Sequence, residues 1–253
     1  MTEDFVDDFD GAVLDRSRWL PHYLPAWSSL AASAADHQVR DSCLVLRIGP
    51  EQGLWCPDDH RPPLRVSGVQ SGNHSGPVGS TTGQQPFREG QVVREQQETF
   101  WGWTPSGGRI EITARMDLSP RSMASCWLVG RELTRRESAE ICVFEVFGDA
   151  VEPGRSAQVG AGLHAFGDPD VPEDFATTRV AVDVGDWHTY AVDWTADEVA
   201  FSVDGVHVRT CSGPPRYPMQ MMMAVFDFPE RAAGHEDHVP RLVIDRVARS
   251  APD

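Results

Sequence analysis

HTYAVDW (188–194), EVAFSVDG (198–205) and the VHVRT that follows (206–210) decide the fold class. Apolar and polar residues alternate along these runs, the period of a strand buried on one side. Asp204-Gly205 suits a tight type I′ hairpin turn, which needs positive φ at both central positions. The same alternation recurs in CLVLRI (43–48), RIEITARMDL (109–118), ICVFEVF (141–147), TRVAVDV (178–184) and RLVIDRVA (241–248). In RIEITARM, Ile110, Ile112, Ala114 and Met116 share one face, and Glu111, Thr113 and Arg115 the other. No long segment has helical periodicity. Many short strands broken by Gly, Pro and Asp predict an all-β sandwich or barrel.

Size and composition agree with that reading. The 253 residues suit one large domain or two small ones, large all-β sandwiches reach this size as one, and no linker divides the sequence; 40% apolar with 24% charged residues is ordinary for a globular chain. Neither disorder nor a transmembrane helix fits, since no apolar run approaches 18 residues. With 22 basic and 38 acidic residues the net charge is −16. This argues against a nucleic-acid partner, which needs basic charge. It argues equally against a strongly anionic polysaccharide. Every basic residue is Arg, and Asn73 is the one asparagine, which points to a GC-rich, bacterial genome.

Five cysteines (43, 56, 126, 142 and 211) are odd in number and lack Cys-x-x-Cys spacing, so reduced, buried thiols are expected. MTEDFVDDFD at the start lacks the charged and apolar regions of a signal peptide. A cytoplasmic location is expected, or a secreted one if a leader has been removed.

Residues 50–108 break the strand pattern. They are rich in Gly, Pro, Ser and Gln and carry Trp55, Trp101 and Trp103. A connection of this length is expected to be functional and to wall one face of the sandwich.

The chemistry is expected in EICVFEVFG (140–148). In a regular strand Glu140 and Glu145 would lie on opposite faces. One residue taken up as a β-bulge returns Glu145 to the side of Glu140 and Cys142. Two carboxyls on one face, roughly 5–5.5 Å apart, are the apparatus of a retaining glycosidase. Exposing a face of this apolar strand is costly, so two glutamates within it call for a reason.

On these residues the chain resembles glycoside hydrolase family 16, in its laminarinase-like branch. That branch carries Glu-x-Asp-x-x-Glu, an apolar pair and Gly, against EICVFEVFG here. The likeness extends to DDFDG…LD…RW (7–19), GRIEITARM (108–116), CWLVG (126–130) and GLHAF (162–166). It continues through WHTYAVDWTADEVAFSVDGVHVR (187–209), YPMQMMMAVFDFP (217–229) and LVIDRVAR (242–249). It therefore covers nearly the whole chain.

The resemblance implies a concanavalin A-like jelly roll of two curved antiparallel sheets, with residues 1–253 as one domain. It implies a retaining glycosidase, with Glu140 as nucleophile and Glu145 as acid/base. The substrate would be a neutral β-linked oligo- or polysaccharide, by default a β-1,3- or mixed-linkage glucan. Cys142 stands where the family has Asp, and is expected to retune the pair without replacing its nucleophile. Trp127 matches a family Trp bordering the catalytic subsite, and packs either on sugar or in the core. Trp101 and Trp103, on one face of a regular strand, would form a sugar platform or pack beneath the long connection. His164 would bind a sugar hydroxyl, assist Glu145, or sit satisfied in the core. Trp187, Trp194 and the methionines at 219 and 221–223 read as core. No cofactor is required. A structural Ca²⁺ is implied at Asp8 and Asp245, although VRDSCLVL (39–46) lacks the Gly whose carbonyl usually contributes. The other reading is a carbohydrate-binding protein with little or no hydrolysis, favoured by the missing Asp and the absent leader.

Overall fold

Burial along residues 108–117 follows the sequence alternation: Gly108, Ile110, Ile112, Ala114 and Met116 are buried, and the residues between them are more open. The computed structural model describes residues 4–251. In chain order its strands are β1 (Phe5–Asp7), β2 (Asp36–Arg40), β3 (Cys43–Arg47), β4 (Arg65–Gln70), β5 (Gly72–Asn73) and β6 (Phe100–Trp101). There follow β7 (Gly108–Asp117), β8 (Ser122–Gly130), β9 (Glu140–Phe147), β10 (Val151–Glu152), β11 (Ser156–His164) and β12 (Asp174–Val180). The last five are β13 (His188–Trp194), β14 (Glu198–Val203), β15 (Val206–Ser212), β16 (Met219–Asp227) and β17 (Arg241–Ser250).

Two antiparallel sheets form a jelly-roll sandwich. The back sheet runs β15-β14-β13-β7-β17-β3-β2, with β1 beside β17. The front sheet runs β10-β11-β9-β8-β16-β4, with β12 beside β11. The β14–β15 hairpin turns at Asp204 (φ 50) and Gly205 (φ 74), as the Asp-Gly pair predicts.

The core lies between the sheets. Ile110, Ile112, Tyr190, Val192 and Ile244 come from the back, and Leu128, Ile141, Phe144, Met221 and Val225 from the front. Met219, Met221 and Met223 fill this core. Met222 points the other way, beneath Trp127 on the outer face of the front sheet. All five cysteines are free and buried. Trp194 is buried, but Trp187 is 42% exposed, with Arg115 5.0 Å above its ring. It precedes the first residue of β13, so strand alternation does not turn it inward.

Every residue of β8 and of β16 is buried, on both faces. Burial on two faces needs a second cover, and residues 23–27 and 50–108 supply it together. Trp55, Cys56, Leu64 and Val93 join Trp127, Val129, Met222 and Phe226 in a second apolar cluster on the outer face of the front sheet. The connection is not all loop, since RVSGVQ forms β4 at the edge of that sheet. Gly68 within it is required by close approach, because a Cβ there would lie 2.9 Å from that of Ala224.

Candidate active site

Strand β9 enters its sheet under tight control. The backbone N–H of Ala139 donates to the Tyr217 hydroxyl at 3.0 Å, which in turn donates to Asp168 at 2.9 Å. The register then shifts once. Across β8, Phe144 pairs with Cys126 but Cys142 with Trp127, so Val143 is the extra residue. Across β11, Glu145 pairs with Gly160 and Cys142 with Gly162. Gly162 holds φ 144, and a Cβ there would lie 2.2 Å from the Asp174 carbonyl oxygen. Ile141, Val143, Phe144 and Val146 all join the core, as a bulge at Val143 requires. Glu140, Cys142 and Glu145 are left on the opposite face.

Glu140 is only 8% exposed. Its Oε1 accepts a hydrogen bond from the Gln85 carboxamide. The carbonyl oxygen of that carboxamide accepts from Trp127 Nε1 at 3.3 Å. The Gln85 backbone N–H donates to Glu132 Oε2 at 2.5 Å. Burial, then the neighbouring Glu132 carboxylate, push Glu140 up to about 8, against the opposing Gln85 hydrogen bond. Burial also pushes Glu132 up to about 8.

Glu145 is less enclosed. Burial raises it, while His164 and Arg231 pull it down. The Cys142 thiol is 3% exposed and is driven well above its ordinary range by burial, then by Glu145 and Glu140. These surroundings favour the neutral thiol over the thiolate. His164 lies directly across β11 from Glu140. Its Nδ1 is 2.6 Å from Glu173 Oε1, and its ring stacks on Phe175 at 4.6 Å. It is therefore a partly exposed residue held by its own carboxylate and not a core histidine.

Trp127 stands among aromatic neighbours on this face. Tyr23 lies 6.4 Å away by ring centroids and Phe226 6.2 Å. Tyr23 in turn meets Trp55 edge-on at 5.0 Å. Trp101 and Trp103 do not form a shared platform. Strand β6 ends at Trp101, and Gly102 follows, where a Cβ would lie 2.4 Å from the Arg18 carbonyl oxygen. Trp103 stacks on Phe5 at 4.2 Å beside Trp19, against the core. Trp101 stacks with His74 and carries the Arg131 guanidinium 5.4 Å from its ring.

Asp8 accepts from Arg246 at 2.7 Å, and Asp245 lies in the exposed bulge of β17. Among the described residues no three His, Cys, Asp or Glu side chains are grouped as a metal centre. Gln85, Glu132 and Tyr23 were not signalled by sequence spacing. Each reaches the site through loop geometry, and the one local cue is the GQQP run (83–86) within the long connection.

A sandwich with two glutamates aligned by a bulge, against an aromatic wall, is the architecture of a glycan-processing protein. The family description "Glycosyl hydrolases family 16" matches residues 104–234, just over half the chain, and the chain belongs to that family. No curated protein matches it in sequence. Among solved structures it is similar to a GlcNAcα1-4Gal-releasing endo-β-galactosidase from Clostridium perfringens. Identity is 22% and the TM-score 0.79, over 97% of this chain and 61% of that one. It is also similar to the laminarinase catalytic domain from Thermotoga maritima, at 17% identity and TM-score 0.66, over 98% and 97% of the two chains. A structure described with endo-acting O-glycanases of human gut bacteria that initiate mucin breakdown has 20% identity and TM-score 0.65, over 98% and 99%. The chain thus spans under two thirds of the Clostridium protein's length. Among the described residues no helix is long and apolar enough to cross a membrane.

Proposed function

We propose that the protein is a retaining glycosidase acting on a neutral β-linked glycan. The observation that carries this is the bulge at Val143, which leaves Glu140 and Glu145 on one face beside Trp127. Glu140 attacks the anomeric carbon and forms a glycosyl ester. Glu145 gives its proton to the departing glycosidic oxygen. Water then attacks the same carbon, Glu145 takes its proton, and Glu140 leaves with net retention. Trp127 offers an apolar wall to the sugar ring.

β-1,3- and mixed-linkage glucans are the first substrates to test, and β-galactans the second, given the likeness to an endo-β-galactosidase. The test is hydrolysis of a glucan and galactan panel, with product configuration followed by NMR. Retention of configuration, abolished in Glu140→Ala, supports the reading, and inversion refutes it.

One observation favours the rival reading of a carbohydrate-binding protein. The Gln85 carboxamide already occupies Glu140, and Cys142 replaces a carboxyl. Binding across the panel with no product from any glycan would establish it.

A further inference from the structure

Between Glu140 and Glu145 on their shared face stands Cys142, so no carboxyl lies between them to position Glu140. The support comes from elsewhere in the chain. We propose that Glu132 and Gln85 form a positioning relay: Glu132 holds the Gln85 main chain, and the Gln85 carboxamide holds Glu140. The inference rests on the reading of Glu140 as the nucleophile and adds two positioning residues to it.

The relay is built. Gln85 and Glu132 both hold left-handed backbone, at φ 48 and 53. Neither is glycine, and such conformations persist only where the surroundings enforce them. Gln84, 2% exposed, locks the loop on the other side: its carboxamide donates to the Arg131 carbonyl at 3.2 Å, and its own carbonyl accepts from Trp27 Nε1 at 2.5 Å. Gly83 allows this close approach, since a Cβ there would lie 2.6 Å from the Trp27 ring. The segments 83–85 and 131–132 are thus tied at two adjacent residues. Only then does the Gln85 side chain reach inward, with its amide on Glu140 and its oxygen on Trp127.

The chemistry is directional. An amide donor stabilises the carboxylate form of Glu140 and fixes which oxygen is free to attack. Trp127 orients the carboxamide, because an indole N–H is only a donor and selects its oxygen. Burial raises Glu140 most, and a charge on Glu132 raises it further, so Glu132 shifts the pH at which the nucleophile is ready. Other groups acting on Glu140 are Glu145 and Glu173, both raising it, with Tyr23 and Cys142 nearby as neutral acids.

The test separates position from charge. Glu132→Gln keeps an acceptor for the Gln85 N–H but removes the charge, and so stays informative if Glu132→Ala fails to fold. Protein carrying ¹³C at glutamate Cδ reports the Glu140 titration directly, assigned through Glu140→Gln. Glu132→Gln is expected to lower the Glu140 midpoint by about one pH unit, and Gln85→Ala to raise it. On an activated aryl glycoside, Gln85→Ala and Glu132→Ala should lower kcat on the order of 100-fold with KM little changed, and Glu132→Gln should retain most of kcat. An unmoved Glu140 midpoint in both Glu132→Gln and Gln85→Ala overturns the relay. So does a rise in kcat for Gln85→Ala, which would make Gln85 a plug. A wild type that cleaves nothing, while Glu140 still answers to both substitutions, refutes the glycosidase reading and leaves the relay standing.

Discussion

Val143 and Phe144 are consecutive in one strand, yet both side chains enter the core between the sheets. The double step turns Glu145 back to the face of Glu140. Deleting Val143 would leave the glutamates four residues apart, which a regular strand also places on one face. The deletion is therefore expected to fold and to keep both carboxyls on the face opposite the core, at a loss of about 2 kcal/mol for one buried valine. Chemical denaturation reads the loss. A deletion protein that folds but loses the raised Glu140 titration, read from ¹³C at glutamate Cδ, would show that the bulge does more than restore the face.

Activity should peak well above the usual carboxylate range. Burial raises both glutamates, and Glu140 reaches about 8. The pair titrates as a unit, needing one proton on Glu145 and none on Glu140. In a plot of kcat/KM against pH, the alkaline limb is expected near 8 and the acid limb above 4.5. An optimum at pH 4–5 would contradict the enclosed site (~4.5 being the ordinary Glu value).

Stability should carry the opposite slope. Glu132 and Glu140 hold protons in the fold up to about 8, but in the unfolded chain only up to about 4.5. Their contribution is full below that lower value and is lost as pH rises through about 8. Tm measured from pH 5 to 9 should fall less steeply in Glu132→Gln than in the wild type. Parallel curves would count against a proton on Glu132.

Cys142→Asp tests whether the absent carboxyl limits the enzyme. Position 142 is 3% exposed between two glutamates, so an Asp there is expected to be protonated at neutral pH. With Gln85 already bonded to Glu140, the gain in kcat should stay below about 10-fold, since position is already fixed. A larger gain would show that the relay fails to replace it.

The sandwich was legible because alternation in runs such as residues 109–118 maps directly onto burial. The hairpin at Asp204-Gly205 was legible because turn chemistry is local. The bulge followed from two glutamates at an odd spacing within apolar residues. Trp103 escaped the same logic, because strand β6 stops at Trp101 and the chain turns at Gly102. Gln85 and Glu132 escaped it too. They are 47 residues apart and meet through backbone conformations that neither residue type announces. Loop contacts of this kind have no period to read.

The central claim is that Glu140 becomes covalently bound to sugar. The direct measurement is mass spectrometry of protein treated with activated 2-deoxy-2-fluoro glycosides of the gluco and galacto series, which slow the second step and trap the ester. The account predicts one added glycosyl group on the peptide containing Glu140, absent in Glu140→Gln. A label on Glu145 or on Cys142, or no label from either series in a protein that hydrolyses its glycan, would contradict it.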